Sequence, residues 1–172
     1  QPASQTEAML VAAGAPAAAP LAAPAHAPLG APQAARAATM PPLNAHLLLA
    51  EDNPVNQAVA RRILTGLGCT VEVVDDGAKA LAAVQRTEFD GVLMDCQMPM
   101  MDGFAATEAI RAWEAGEPSR RPLLIIALTA NAMADDKAAC LASGMNEHLS
   151  KPYRRDQIHA ALERLLPRTE HA

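Results

Sequence analysis

Aromatic residues and basic charge are both scarce in this chain of 172 residues. Only 2% of the residues are aromatic, so a core has to be built from alanine, valine, isoleucine, leucine and methionine. The 14 lysines and arginines are outnumbered by 19 aspartates and glutamates, which gives a formal net charge of −5 at pH 7. The sequence lacks the basic face that a nucleic-acid partner requires, and we expect no such partner.

Long apolar runs and paired cysteines are lacking as well. No apolar run approaches the roughly 20 residues of a membrane helix, so we expect no membrane contact by this fragment. The alanine-rich start has no basic region before it and is interrupted by prolines, unlike a signal peptide. Cys69, Cys96 and Cys140 are odd in number and widely spaced, which predicts reduced thiols and a cytoplasmic location.

Alanine and proline dominate the first quarter of the chain. Between Pro16 and Pro32 a proline recurs at every fourth position, which breaks a helix before it can propagate. This composition is typical of a semi-extended linker. We therefore predict a flexible linker over 1–42, a folded domain over 43–168 and a short tail over 169–172.

Strand and helix patterns alternate through the folded part. Short, mostly apolar runs predict four strands, at 46–50, 70–74, 91–95 and 123–128, and we predict a short fifth strand at 147–150. Caps and apolar residues at helical spacing predict five helices, at 54–67, 78–86, 103–114, 134–143 and 154–166. Strands that read as nearly continuous apolar runs indicate a parallel sheet covered on both faces. The sequence thus predicts an α/β, doubly wound (βα)5 fold.

Polar side chains collect where the predicted strands end. Glu51 and Asp52 follow the first strand, Asp95 ends the third, Thr129 follows the fourth and Lys151 follows the fifth. Parallel strands bring these ends to one edge of the sheet, which is where such folds bind ligands. Clustered carboxylates require a cation, and Mg²⁺ prefers such oxygen ligands. The cluster predicts Asp95 as a nucleophile that accepts a phosphoryl group, whose charge Lys151 and the cation neutralise.

Four stretches of the folded part resemble one known family. They are LLLAEDNPVNQ (47–57), VLMDCQMPMMDGFAAT (92–107), IIALTANAM (125–133) and GMNEHLSKPY (144–153). They resemble the receiver domain of the two-component response-regulator family, most of all the C-terminal receiver of a hybrid sensor histidine kinase. The resemblance covers about residues 44–167. It implies a flavodoxin-like five-stranded sheet in the order 2-1-3-4-5.

The resemblance also implies roles for the acidic residues. Asp95 resembles the phosphoacceptor of the family. Asp52 resembles the direct Mg²⁺ ligand, and Glu51 resembles a neighbour that acts largely through water. The backbone carbonyl of Gln97 would complete the protein ligands, and Mn²⁺ is an alternative cation.

The family's switching residues match except at one position. Thr129 resembles the switch hydroxyl and Lys151 the phosphate-binding lysine, whose bond to Pro152 the family makes cis. Many receivers carry tyrosine or phenylalanine three residues before this lysine, whereas this chain has His148. A histidine ring is smaller and can be charged. His148 is therefore either the switch residue or a surface histidine without that role.

A phosphorelay function follows from the resemblance. It implies transfer from the phosphohistidine of a histidine kinase or histidine phosphotransfer domain to Asp95. The fragment would catalyse its own phosphorylation and dephosphorylation, and its parent chain would be a histidine kinase. Two alternatives stay open. An aspartate-nucleophile phosphatase would carry its nucleophile on the first strand with a second aspartate two residues later, where this chain has Gln97. A binding module that retains only the fold would not need the acidic cluster.

Overall fold

Strands and helices alternate five times in the computed structural model, which describes residues 40–131 and 133–167. The strands are β1 His46–Ala50, β2 Thr70–Val74, β3 Gly91–Asp95, β4 Leu124–Thr129 and β5 Glu147–Ser150. The helices are α1 Pro54–Gly66, α2 Gly77–Arg86, α3 Gly103–Ala115, α4 Ala134–Ala142 and α5 Arg155–Leu165. The predicted linker, apart from residues 40–42, and the predicted tail lie outside the described residues.

The five strands form one parallel sheet in the order β2-β1-β3-β4-β5, which confirms the predicted fold class and strand order. Leu48 of β1 lies between Glu72 of β2 and Val92 of β3, and Val92 pairs onward with Ile125 of β4. The central strands β1, β3 and β4 are almost wholly buried. Their burial on both faces explains why they read as continuous apolar runs.

Two apolar cores cover the faces of the sheet. One lies between the sheet and helices α2, α3 and α4, and the other between the sheet and helices α1 and α5. The largest fully buried side chains are leucines, isoleucines and a methionine, as the scarcity of aromatic residues requires. Burial of each such side chain contributes about 2 kcal/mol. Among the residues whose placement is described, no helix combines the length and apolar character needed to cross a membrane.

Side-chain caps fix the starts of α1 and α3 on the carboxyl edge of the sheet. The Asn53 side chain accepts hydrogen bonds from the backbone of Val55 and Asn56, and Pro54 occupies the first turn. Asp102 likewise accepts from Ala105 at the start of α3. These caps confirm the predicted helix starts and place the first turns of α1 and α3 beside the ends of β1 and β3.

Strand β4 is shifted by one residue from its predicted position. The Leu123 N–H donates to the Glu114 carboxylate at 2.6 Å, so Leu123 does not join the ladder. At the other end, Thr129 pairs with Ser150 of β5 and belongs to the strand. The ladder therefore carries Thr129 to the carboxyl edge in regular strand geometry.

The loop between β3 and α3 closes tightly on Asp95. The Gly103 N–H donates to the Cys96 carbonyl at 3.2 Å. A Cβ added at Gly103 would lie 2.2 Å from the Asp95 carbonyl oxygen, so only glycine fits there. Met100, in the same loop, has a φ of 69° and an exposed side chain. This loop fixes the backbone that presents the Asp95 side chain.

Candidate functional site

Three carboxylates meet at the carboxyl edge of the sheet, as predicted. Glu51, Asp52 and Asp95 each offer an oxygen, and these oxygens lie within 4.8 Å of one another. Glu51 is 0% exposed and Asp95 is 4% exposed, whereas Asp52 is open to solvent. An all-oxygen donor set with one open side suits a hard divalent cation that keeps several waters, such as Mg²⁺.

Lys151 joins the two buried carboxylates. Its Nζ lies 2.7 Å from Glu51 Oε2 and 2.9 Å from Asp95 Oδ2. Burial lowers the pKa of this lysine, but its hydrogen bonds to Glu51 and Asp95 outweigh burial and raise the pKa above 10.5. The lysine is therefore protonated at neutral pH. Three carboxylates and one ammonium leave two negative charges, which matches the charge of one divalent cation. The bond from Lys151 to Pro152 is cis, as expected.

Donors from the first turn of α1 hold Glu51 on its other side. Glu51 Oε1 accepts from the Asn53 N–H at 3.2 Å and from Asn56 Nδ2 at 3.1 Å. The Glu51 backbone carbonyl accepts from Gln57 Nε2 at 2.6 Å. Neither Asn56 nor Gln57 was among the predicted site residues. The available signal was two amide side chains in the helical turn that directly follows a buried acidic residue.

Gln97 contacts the phosphoacceptor candidate through its backbone. The Gln97 N–H donates to Asp95 Oδ1 at 3.1 Å. Since Lys151 contacts Oδ2, both oxygens of the Asp95 carboxylate are held in fixed directions. The role predicted for the Gln97 carbonyl, as a cation ligand, stays a prediction.

Thr129 is buried beside the cluster with its hydroxyl engaged in its own loop. Thr129 Oγ1 donates to the Asn131 carbonyl at 2.6 Å and accepts from the Asn131 N–H at 2.9 Å. Both bonds involve one residue of the loop between β4 and α4. If the Thr129 hydroxyl donated to another acceptor instead of the Asn131 carbonyl, the conformation of this loop would therefore change.

His148 lies on β5 and is mostly buried, with a side chain 20% exposed. It pairs with Ala127, which belongs to the core under α2, α3 and α4. Its Nδ1 atom is buried and lies 3.4 Å from Glu147 Oε1 without hydrogen-bond geometry. The switching role of His148 stays a prediction.

The three cysteines are free and buried. Cys96 Sγ and Cys140 Sγ lie 3.9 Å apart, close to the cluster but turned into the core. Burial is the main cause that raises the pKa of each thiol, Cys69 included. Thiols of this kind are poorly reactive, which agrees with the prediction of reduced cysteines.

An apolar groove opens beside Lys151, with a volume of about 360 Å³. We call it the α1 groove, and its lining residues are Asn56, Val59, Ala130, Lys151, Pro152 and Tyr153. Val59 is 51% exposed, and the neighbouring Val55 is 68% exposed. Exposed aliphatic side chains thus border the groove next to the buried ionic cluster.

Comparison with known proteins gives one family. The family model of the response regulator receiver domain matches residues 47–163. The chain is 47% identical over 129 residues to the sensor protein GacS of Pseudomonas syringae pv. syringae. That alignment covers 73% of this chain but only 14% of GacS, so the chain spans a small part of that relative.

Two solved structures of similar chains carry information about ligands and partners. The receiver domain of the sensor histidine kinase PA1611 from Pseudomonas aeruginosa PAO1 is 45% identical with a TM-score of 0.63, covering 70% of this chain and 95% of that chain. It holds a magnesium ion in its active site cleft. The receiver domain of Saccharomyces cerevisiae Ssk1, in complex with the histidine phosphotransfer protein Ypd1, is 30% identical with a TM-score of 0.63, covering 69% of this chain and 84% of that chain.

Proposed function

The chain belongs to the response regulator receiver family of two-component phosphorelay signalling, and from this premise we propose that Asp95 is its phosphoacceptor. The donor is the phosphohistidine of a histidine kinase or histidine phosphotransfer domain. One observation carries the assignment of the residue. The buried Asp95 carboxylate shares Lys151 with Glu51 and lies beside Asp52.

The transfer uses groups that are already in place. A carboxylate oxygen of Asp95 bonds to phosphorus as the phosphorus–nitrogen bond of the phosphohistidine breaks. The electron pair of that bond stays on the imidazole, so no further reactant is needed. Lys151 neutralises charge on the transferring group, since its ammonium already contacts Asp95 Oδ2 at 2.9 Å.

Switching follows from the position of Thr129. Its hydroxyl leaves the Asn131 carbonyl and donates to an oxygen of the phosphoryl group on Asp95. The loop between β4 and α4 then moves, because the released contact belongs to that loop. His148 on the adjacent β5 responds as the second switching residue. Phosphorylation thereby shifts a two-state equilibrium on the α4 and β5 face.

The cation site consists of carboxylate and carbonyl oxygens. Asp52, Asp95 and the Gln97 carbonyl would hold Mg²⁺ directly and Glu51 largely through water, with Mn²⁺ as an alternative ion of similar preference. When bound, the cation neutralises charge that develops on the phosphoryl oxygens. The magnesium ion in the Pseudomonas aeruginosa receiver supports this proposal.

The α1 groove docks the phosphodonor. Its wall includes Lys151, so a helix seated on Val55 and Val59 would present a histidine next to Asp95. The partner is therefore a helix with an apolar face around a phosphorylated histidine. The complex of a similar receiver with a histidine phosphotransfer protein supports this choice.

The parent protein and its location are part of the same proposal. The relatives include sensor proteins and hybrid histidine kinases, which supports a hybrid sensor histidine kinase as the parent. Three buried free thiols suit the reducing cytoplasm.

The assignment of Asp95 is tested by intact-protein mass after incubation with Mg²⁺ and a small acyl phosphate. We expect one phosphoryl adduct on the wild type and none on Asp95→Asn. Asp75→Asn is the matched control, because Asp75 lies near the same edge but is exposed and pairs with Lys79. This control should carry the adduct. An adduct on Asp95→Asn, or none on the wild type, would contradict the proposal.

A further inference from the structure

The two oxygens of the buried Glu51 carboxylate face different partners. Oε2 contacts Lys151 at 2.7 Å and so points into the ionic cluster. Oε1 points to α1, where it accepts from the Asn53 N–H and from Asn56 Nδ2. Because Glu51 is 0% exposed, water has no free access to replace a lost donor. The direction of Oε2 therefore depends on what holds Oε1.

Of the two donors to Oε1, only one depends on the side chain. Any residue except proline at position 53 supplies the backbone N–H, whereas the second donor is the Asn56 amide. Asn56 is itself fixed, since its backbone N–H donates to the Asn53 side chain that caps α1. The helix start thus aims the Asn56 amide at Glu51, and Asn56 also lines the α1 groove.

We propose that Asn56 is a positioning residue for the phosphoryl-transfer site. It holds Glu51 Oε1 so that Oε2 faces Lys151 and the cation. Asn56 acts through Glu51 and does not contact the reacting atoms. This inference rests on the proposed cation site, and it adds a residue outside the acidic cluster, the lysine and the switch hydroxyl.

Magnesium affinity tests the proposal directly. Asn56→Leu keeps a similar side-chain volume, removes the amide and excludes water. Titration calorimetry should show about tenfold weaker Mg²⁺ binding, in the range found when a residue that orients a ligand is lost. Because binding is weaker, the rate at which a small acyl phosphate phosphorylates this variant should fall at low Mg²⁺ and recover at saturating Mg²⁺. The matched control is Thr65→Leu, an equally neutral change on the exposed side of α1, which should bind Mg²⁺ as the wild type does.

A double-mutant cycle separates positioning from a general effect on α1. In a Glu51→Ala background, Asn56→Leu should weaken Mg²⁺ binding by less than about twofold further, because its target is gone. A tenfold loss in that background, or unchanged affinity in Asn56→Leu alone, would overturn the proposal. If Asn56→Leu does not fold by circular dichroism, Asn56→Ala replaces it, with a loss of at least about threefold expected. A wild type that binds no Mg²⁺ would instead contradict the proposed function and this inference together.

Discussion

Lys151 sets the charge of the site at the scale of single residues. Its ammonium occupies a position between Glu51 and Asp95 that a cation would otherwise share. It lowers the negative charge of the cluster from three to two. Attraction for the phosphoryl group and repulsion of the metal ion therefore come from the same side chain.

Lys151→Met should bind Mg²⁺ more tightly and accept phosphate more slowly. A unit positive charge and a divalent cation repel each other by about 2 kcal/mol in water at a separation of about 4 Å, so loss of the lysine charge should raise the affinity more than tenfold. Without Mg²⁺ the variant should lose about 3 kcal/mol of unfolding free energy, because Glu51 stays buried and unpaired. Titration calorimetry measures the Mg²⁺ affinity, and urea unfolding measures the unfolding free energy. The control is Lys79→Met, which breaks an exposed pair with Asp75 and should change the Mg²⁺ affinity and the unfolding free energy by little. Unchanged Mg²⁺ affinity in Lys151→Met would contradict this account.

Tyr153 gives the fold a pH dependence that can be measured alone, because the chain has one tyrosine. Burial, followed by the charge of Glu51, raises its pKa above 10.0. The folded state keeps the phenol proton at a pH where the unfolded chain loses it. The stability from this group is thus complete below pH 10.0 and is lost as pH rises through the folded pKa.

The tyrosinate absorbance of the native protein should therefore appear at higher pH than that of the urea-unfolded protein. Above pH 10.0 the unfolding free energy of the wild type should fall more steeply than that of Tyr153→Phe. Equal slopes for the two proteins, or coincident titrations of native and unfolded Tyr153, would show that the folded environment does not hold the proton.

Residue types at strand ends could be predicted from the sequence, but their hydrogen bonds could not. Glu51 and Asp95 stand at the ends of apolar runs and Lys151 follows the predicted fifth strand, so their place at one edge required only the strand pattern. The bond from Asn56 to Glu51 depends on how the first turn of α1 is rotated over β1. The loop bonds of Thr129 depend on backbone geometry after β4. Such contacts are set by tertiary packing, which periodicity does not encode.

At the scale of elements, apolar spacing together with caps and turn residues located all ten helices and strands of the described residues. It worked because the buried strands β1, β3 and β4 end at, or directly before, a charged or polar residue, and because Asn53 and Asp102 cap the helices that follow β1 and β3. The one-residue shift of β4 has a tertiary cause, since the Glu114 side chain on α3 takes the Leu123 N–H. Apolar character cannot distinguish a leucine in the ladder from one bound to a neighbouring helix.

Two helix starts also restrict the backbone of the loop after Asp95. Gly103 begins α3 directly against the Asp95 carbonyl, and Gly77 begins α2 against the Met101 carbonyl in the same loop. Two helix starts thus pack on the backbone of one loop. The loop has little freedom, so the direction of Asp95 is fixed by packing before any ligand binds.

At the scale of the whole molecule, the proposed function assigns both chemistry and recognition to one edge of the sheet. The acidic cluster, Lys151 and the α1 groove lie side by side, while the two apolar cores occupy the faces. The strand pattern predicted a parallel sheet, and with it the position of the site at the carboxyl edge of that sheet. It did not predict the groove, because exposed valines on α1 look like ordinary members of an apolar helix face until the packing is known.

The α1 groove predicts that one substitution separates partner recognition from chemistry. Val59→Asp places a charge on the docking surface, so the rate of phosphotransfer from a histidine-phosphorylated protein such as yeast Ypd1 should fall by about tenfold or more. Phosphorylation by a small acyl phosphate should not change, because that donor needs no docking. Leu141→Asp is the matched control, since Leu141 on α4 is 50% exposed against 51% for Val59. Equal phosphotransfer rates for the two variants would place docking elsewhere, and an equal loss with both donors would show that Val59→Asp had disturbed the site itself.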